Sequence, residues 1–228
     1  MTQYEFEPPA VTCLTIEGEK AVFPVRRVYC IGRNYAAHSI EMGGNPDREE
    51  PFFFQKNPDN LVQNGRFPYP SQSEDVHHEV EMVVALKSGG TDIAVEDALD
   101  HVFGYAIGLD MTRRDLQSAM KQARRPWEIG KAFEHSAPVS SLVPVQQCGH
   151  PDNAEISLNV NGESRQTGNT NQMIWKVPEM IAYLSCYYRL AAGDVIMTGT
   201  PAGVGPVQRG DVMLARLEGV AELEVKVV

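Results

Sequence analysis

The sequence contains few cysteines and no closely spaced pair of them. Four are present, Cys13, Cys30, Cys148 and Cys186, and none belongs to a Cys-x-x-Cys motif. This spacing argues against a zinc ribbon, and we expect reduced thiols. The first residues also lack the basic and apolar regions of a signal peptide. We therefore expect a cytoplasmic protein.

Positive charge and long hydrophobic runs are also scarce. Lys and Arg number 20 against 30 Asp and Glu, which gives a net charge of −10. An acidic chain repels phosphate backbones and anionic membrane surfaces, so we expect neither nucleic acid nor a membrane as a partner. The longest strongly apolar stretch, residues 102–109, is far too short for a bilayer span of about 20 residues.

Several common catalytic motifs are missing. The sequence has no GxxxxGK[ST], GxGxxG, GxSxG or HExxH pattern. Their absence argues against phosphate-loop NTPases, common dinucleotide enzymes, α/β-hydrolases and zincin proteases. The glycine-rich segment 198–205 has no lysine to bind a phosphate, and it is either a turn after a strand or a ligand-binding loop.

The composition favours a strand-rich globular fold. With 228 residues, 43% hydrophobic, 15 Pro and 19 Gly, the chain can bury a large core and has many turns. We predict one α+β domain over residues 1–228, dominated by β structure, with N-terminal strands over 1–27 and a motif-bearing core over 28–228. Helices are predicted over 34–42, 112–124 and 178–188, an exposed loop over 45–51, and a hairpin around Asn161-Gly162.

Three acidic residues stand next to apolar strands. Glu79 and Glu81 are two apart in a predicted strand, so they share a face, where like charges cost energy unless a hard cation neutralises them. The alternative is a solvent-facing strand edge. Asp110 follows the apolar run 103–109 and is placed either to bind a ligand or to cap the next helix.

A second group of polar residues could supply acid–base chemistry. His38 and Glu41 are three apart in a predicted helix, so Glu41 can orient His38 as a general base. An exposed pair that only supports the helix is the alternative. Lys131 could stabilise developing negative charge or could simply be solvated. A solvated helix face is likewise the alternative for Arg113, Arg114 and Gln117.

Together these motifs resemble the fumarylacetoacetate hydrolase family. The resemblance runs in order from about Val28 to the C-terminus. Its segments are Tyr29-Cys-Ile-Gly-Arg-Asn-Tyr-Ala-Ala-His-Ser-Ile-Glu41, His78-Glu-Val-Glu81, Gly104-Tyr-Ala-Ile-Gly-Leu-Asp-Met-Thr-Arg-Arg-Asp-Leu-Gln117, Lys131-Ala-Phe133, Ala137-Pro-Val139 and Ile196-Met-Thr-Gly-Thr-Pro-Ala-Gly-Val-Gly205.

The resemblance implies a mixed β-roll or β-sandwich and a homodimer. It also implies roles for ten residues at matching positions. Glu79, Glu81 and Asp110 are the implied ligands of Mg²⁺ or Mn²⁺. His38, Glu41 and Lys131 are the implied catalytic residues, and Arg33, Arg114, Gln117 and Thr200 the implied substrate-binding residues.

The resemblance further implies an activity. The shorter, acylpyruvase-type members cleave a C–C bond in a β-diketo acid, and fumarylpyruvate is the expected substrate. A water deprotonated by His38 would attack the distal carbonyl, giving pyruvate and a carboxylic acid. A distal carboxylate would need a second cation, for which Arg113 and Arg124 are candidates. Oxaloacetate decarboxylation, 2-hydroxydienoate isomerisation and an inactive metal-binding scaffold are the alternatives.

Overall fold

A computed structural model describes residues 3–41, 43 and 50–228. Most of the loop predicted over 45–51 lies outside the described residues, so that prediction is not tested. The strands are β1 (Cys13–Thr15), β2 (Val22–Pro24), β3 (Arg27–Gly32), β4 (Phe52–Lys56), β5 (Leu61–Val62), β6 (Arg66–Phe67), β7 (Val76–His78), β8 (Val80–Leu86), β9 (Val102–Leu109), β10 (Thr112–Arg113), β11 (Ala137–Pro138), β12 (Val143–Pro144), β13 (Glu155–Val160), β14 (Glu163–Asn169), β15 (Asp194–Met197), β16 (Gly205–Pro206), β17 (Val212–Leu217) and β18 (Ala221–Val227).

The helices are short and few among the described residues. They are α1 (Ala36–Glu41), α2 (Arg114–Gln122), α3 (Glu128–Lys131), α4 (Val145–Cys148) and α5 (Val177–Tyr187), with 3-10 turns at Pro58–Asn60, Val95–His101 and Thr170–Gln172. No helix in this part of the chain is both long and apolar enough to cross a membrane.

Two sheets dominate the molecule. The larger has six strands in the order β12-β9-β8-β15-β3-β4, and the other has five in the order β14-β13-β17-β18-β6. Both are mixed, because β15 runs parallel to β3 and β18 runs parallel to β6 while the remaining neighbours are antiparallel. Smaller sheets join β10, β7 and β16, β1 and β2, and β11 and β5. This β-dominated, mixed architecture is the one expected from the sequence.

The six-stranded sheet is covered on both faces. Met82, Val84 and Ile107 belong to one core that also contains Ile156 and Val225 from the five-stranded sheet. Val83, Ala85 and Val195 face a second core with Leu14 and Phe23 of the N-terminal hairpin. Burial on both faces explains why β8 is a continuous apolar run without alternation. The only charged residue in β8, Glu81, is therefore exceptional.

The predicted elements are largely confirmed, with two shifts near the site. Asn161 and Gly162 both have positive φ (54° and 82°), as the two-residue β13–β14 turn requires. The helix predicted over 112–124 begins only at Arg114, because Thr112 and Arg113 pair with β7 as β10. Glu79 lies between β7 and β8 and not within a strand.

Candidate active site

The three acidic residues meet because of the register between two central strands. Glu81 of β8 lies opposite Gly108 of β9, and one residue beyond the end of the ladder the Asp110 amide donates to the Glu79 carbonyl (2.8 Å). One carboxylate oxygen from each of Glu79, Glu81 and Asp110 lies within 4.8 Å of the other two. The residues are 6%, 2% and 0% exposed, so neither the solvent-facing edge nor an Asp110 helix cap describes them.

Two basic side chains neutralise Glu79. Lys131 Nζ donates to Glu79 Oε2 (2.8 Å), and Arg114 Nη2 donates to Glu79 Oε1. Burial raises the pKa of Glu79, but the charges of Lys131 and Arg114 outweigh burial, and the net pKa lies well below its ordinary value. Burial likewise lowers the pKa of Lys131, but Asp110 and Glu79 raise it above its ordinary value. This pair is therefore charged, and Lys131 is not a solvated lysine.

Glu81 has weaker compensation than Glu79. Its Oε2 accepts the Gly199 amide (2.8 Å), and no basic side chain among the described residues forms an ion pair with it. Burial, followed by the charges of Asp110 and Glu79, raises the pKa of Glu81 well above its ordinary value. The carboxylate cluster thus has one negative charge that costs free energy unless a further cation is nearby.

The donor set fits a hard divalent cation. Three buried carboxylates converge, and carboxylate oxygens are the preferred ligands of Mg²⁺ and Mn²⁺. Asp110 Oδ1 is buried and accepts no hydrogen bond from the described residues, although Lys56 Nζ lies 2.9 Å away as an ion-pair partner. The under-compensated Glu81, converging with two other buried carboxylates, is what a metal ligand set presents.

The predicted base and its partner also lie at this pocket. His38 Nδ1 is 3.1 Å from Glu41 Oε2, and both Glu41 oxygens accept the Gly203 amide (3.2 and 3.3 Å). Because a carboxylate only accepts, Nδ1 carries the proton of a neutral His38, and Nε2 is left free to take one. His38 is 5% exposed and lines the same pocket as the three acids, which argues against an exposed pair.

The glycine-rich segment forms a wall of the pocket. Gly199 has φ +94°, and a Cβ there would lie 2.7 Å from Asn34 Cβ, so only glycine allows this approach and the amide contact with Glu81. Thr200 Oγ1 accepts a hydrogen bond from Gln166 Nε2 (2.7 Å), and Thr200 lines the pocket. This segment therefore contributes to the site and is not only a turn.

Gln166 ties this wall to the residues on either side of Glu79. Its Oε1 lies 2.9 Å from His78 Nδ1 and accepts the Val80 amide (3.1 Å), while Nε2 also donates to the Pro201 carbonyl (2.8 Å). The side chain is 1% exposed, and each of its polar atoms has two partners. A fully bonded amide of this kind fixes the separation of Glu79 and Thr200.

Helix α2 supplies two buried residues to the pocket. Arg114 Nη1 donates to Gln117 Oε1 (2.5 Å), and both side chains line the pocket. Helix α3 packs closely here, because a Cβ on Gly130 would lie 3.0 Å from the Gln117 Cβ and amide nitrogen. This approach brings Lys131 to the acids, so a solvated helix face is wrong for Arg114 and Gln117.

The pocket gathers nine of the ten residues implied by the resemblance. Glu41 is the exception; it reaches the pocket only through His38. Arg113 lies elsewhere, with its guanidinium 4.2 Å from the Phe133 ring centroid, and Arg124 does not line the pocket. The pocket is lined by Ile31, Gly32, Arg33, His38, Phe52, Phe54, Glu79, Glu81, Asp110, Arg114, Gln117, Lys121, Trp127, Lys131 and Thr200.

The sequence interpretation missed Lys56 at this site. Lys56 is 2% exposed, and besides its ion pair with Asp110 its Nζ donates to Ser136 Oγ (3.0 Å), the Met111 carbonyl (3.3 Å) and the Lys131 carbonyl. The available signal was a lysine that ends the apolar strand Phe52-Phe-Phe-Gln-Lys56. A charge at that position needs a buried partner of opposite sign.

The family is shown by the match of nearly the whole chain. Residues 27–228 match the model of the fumarylacetoacetate (FAA) hydrolase C-terminal domain. The chain therefore belongs to the fumarylacetoacetate hydrolase family, and its cluster of three buried acids and β-dominated fold agree with that membership.

Individual relatives have two kinds of name. A crystal structure of fumarylpyruvate hydrolase from Pseudomonas aeruginosa, in complex with Mn²⁺ and pyruvate, is 53% identical, covers 99% of both chains and superposes with a TM-score of 0.97. Fumarylpyruvate hydrolase from Ralstonia sp is 43% identical over 78% of this chain and 93% of its own length. Oxaloacetate tautomerase YcgM from Escherichia coli (strain K12) is also 43% identical, over 89% of this chain and 93% of its own length.

Proposed function

We propose that the protein is a metal-dependent hydrolase that cleaves a C–C bond in an acylpyruvate, and that fumarylpyruvate is its substrate. The products are pyruvate and, from this substrate, fumarate. The observation that carries the proposal is a histidine–carboxylate pair facing a buried cluster of three acids in one pocket. The likeness to the P. aeruginosa fumarylpyruvate hydrolase supports the choice of substrate.

Glu79, Glu81 and Asp110 hold Mg²⁺ or Mn²⁺ in this proposal. When bound, the divalent ion supplies Lewis-acid polarisation of the 2-oxo acid. Arg114 and Lys131 fix the two oxygens of Glu79, and the Gly199 amide fixes Glu81. These contacts hold the carboxylates in place before the ion arrives, which lowers the cost of assembling the site.

His38 acts as the general base. Its Nε2 takes a proton from a water that attacks the acyl carbonyl, and Glu41 stabilises the resulting imidazolium through Nδ1. Attack converts the acyl carbonyl into a tetrahedral alkoxide, and the C–C bond to the methylene carbon breaks as the carbonyl re-forms. The methylene carbon leaves as the pyruvate enolate and takes the proton held on His38 Nε2. Lys131, which is buried and charged, stabilises the negative charge that develops on the oxygen of the attacked carbonyl.

A second candidate is keto–enol conversion or decarboxylation of oxaloacetate. The observation in its favour is the E. coli relative named oxaloacetate tautomerase, at the same identity as the Ralstonia hydrolase. Neither of these reactions needs a water activated for attack on a carbonyl. The presence of the bonded His38–Glu41 pair at the pocket favours hydrolysis.

The test is a product analysis with purified protein. Fumarylpyruvate, acetylpyruvate and oxaloacetate are each incubated with the protein and Mg²⁺ or Mn²⁺, and the products are identified by NMR. We expect pyruvate and fumarate in equal amounts from fumarylpyruvate. Turnover of oxaloacetate alone, with no acylpyruvate cleaved, would contradict the proposal. The Glu81→Ala protein serves as the control for cleavage that does not depend on the site.

We also propose that the protein acts as a homodimer in the cytoplasm. The resemblance to the family supports the dimer, and the reduced thiols expected from the sequence support the location. Sedimentation velocity of the full chain tests the oligomeric state. A monomer at micromolar concentration would contradict it.

A further inference from the structure

Two basic side chains in the pocket have no partner of opposite charge among the described residues. Arg33 and Lys121 both line the pocket. Within the described ranges neither side chain forms an ion pair or a hydrogen bond with another residue; Arg33 only packs on the Phe52 ring, 5.8 Å from its centroid. The other three cations of the site, Lys56, Lys131 and Arg114, each pair with a carboxylate. The positive charges of Arg33 and Lys121 are therefore not used to balance the three acids.

Helix α2 places Lys121 at the outer end of a polar stripe. Arg114, Gln117 and Lys121 are spaced i, i+3 and i+7, so they share one face of the helix. With a rise of about 1.5 Å per residue, Lys121 lies about 10 Å along the axis from Arg114. Arg114 is buried against Glu79 and Lys121 is exposed, so the stripe leads from the acid cluster to the mouth of the pocket.

An aromatic wall holds Arg33 at that mouth. The Phe52 ring packs directly on Gly32, where a Cβ would lie 2.1 Å from the ring, and the Phe52 and Trp127 rings are nearly perpendicular with centroids 5.5 Å apart. Arg33 has φ +55°, a conformation that a residue with a Cβ rarely adopts, and its guanidinium lies over the same Phe52 ring. The neighbouring rings thereby limit the positions open to the guanidinium.

We propose that Arg33 and Lys121 form a subsite for the carboxylate at the acyl end of a dicarboxylic acylpyruvate. This inference rests on the proposed function. The two carboxyl carbons of fumarylpyruvate are separated by six C–C bonds of about 1.5 Å, which span roughly 7–8 Å when extended. That length is of the same order as the rise of about 10 Å along α2 from Arg114, which contacts Glu79, to Lys121. The flat, conjugated middle of the substrate lies beside Phe52 and Trp127.

Two substrates that differ only at the far end test the subsite. One is fumarylpyruvate, and the other is its analogue with a methyl group in place of the distal carboxylate. The quantity measured is the ratio of the two kcat/KM values. A hydrogen bond to a charged group is worth about 10–150-fold, so we expect a wild-type ratio of at least about 10. Lys121→Met and Arg33→Met should each lower that ratio by about tenfold, mainly through KM for fumarylpyruvate.

Matched variants separate charge from general disturbance. Lys121→Arg keeps the charge and should keep the preference, whereas Arg124→Met removes a charge close by on the chain but outside the pocket and should leave the ratio at the wild-type value. Thermal unfolding midpoints close to wild type show that each variant is folded, as expected for exposed or half-buried positions.

The outcomes distinguish the subsite from the proposed function. If the wild-type protein cleaves both substrates but with a ratio near 1, or keeps its ratio in both Met variants, the subsite is wrong while the hydrolase assignment stands. If the wild-type protein cleaves neither substrate, the proposed function itself is overturned.

Discussion

Removing the charge of Lys56 should destabilise the metal-free protein far more than the metal-loaded protein. Lys56 Nζ lies 2.9 Å from Asp110 Oδ1, with both side chains almost fully buried. Lys56→Met keeps most of the side-chain volume and removes the charge. In the variant, Asp110 keeps only the Lys131 contact at Oδ2 (2.7 Å), beside the poorly compensated Glu81. A divalent cation would restore the missing positive charge.

The magnitude follows from the burial of the pair. Breaking a buried ion pair by removing one partner costs about 3–5 kcal/mol, and the remaining Lys131 contact places this case at the lower end, at about 3 kcal/mol. Urea denaturation followed by circular dichroism gives the free energy of unfolding. It is measured with EDTA and with saturating Mn²⁺. We expect the stabilisation by Mn²⁺ to be larger in the variant than in the wild-type protein.

The control is Lys87→Met, which removes a charge from an exposed lysine outside the pocket. Surface changes of this kind usually alter stability by less than about 0.5 kcal/mol. If Lys56→Met were within 1 kcal/mol of wild type in EDTA, the reasoning from buried charge would be refuted. An equal effect of Mn²⁺ on both proteins would show that Lys56 and the ion do not share a charge-balancing role.

Three further outcomes follow from the site and the cores. Chelation should abolish activity, Mn²⁺ or Mg²⁺ should restore it, and Glu81→Ala should stay inactive because a ligand is missing; activity of this variant after exhaustive chelation would contradict the assignment. His38→Ala should lose about 10²–10⁴-fold in kcat and still bind Mn²⁺, as measured by calorimetry; a rate within threefold of wild type would mean that another group activates the water. Burial raises the pKa of the Cys30 thiol, so only the exposed Cys13 and Cys186 should react rapidly with a thiol reagent before unfolding, and prompt labelling of Cys30 in the native protein would show that its core opens.

The longer elements were predictable because their own residues determine them. Helix α5 (Val177–Tyr187) lies within one residue of the predicted 178–188, and the β13–β14 hairpin forms where Asn161-Gly162 indicated. Two-residue strands such as β10 and β16 were not predicted, since each exists only because β7 lies beside it. Their conformation comes from a distant partner, which no local pattern reveals.

The site shows the same division. The three acids were predicted because charges next to apolar strands are locally anomalous. Their mutual contact depends on the β8–β9 register, and the position of Lys56 depends on the packing of β4 near α3. Six basic residues within 113–131 were available to bind the distal carboxylate of the expected substrate, and the sequence favoured Arg113 or Arg124. Neither Arg113 nor Arg124 lines the pocket in the structure. Only the fold shows that Arg33, far earlier in the chain, shares a pocket with Lys121.

The division of the pocket between sheet and helix bears on how such enzymes diversify. The acids come from the ends of two hydrogen-bonded central strands, where a shift of one residue would move Glu81 to the opposite face and unfold much of the core. The end of the pocket away from the acids, where Arg33 and Lys121 lie, is formed by α2 and the segment before α1. Exposed residues in these two segments can be exchanged at little cost in stability. On the proposed function, natural selection can therefore alter which acyl group is accepted through single surface substitutions, while the acid cluster stays intact.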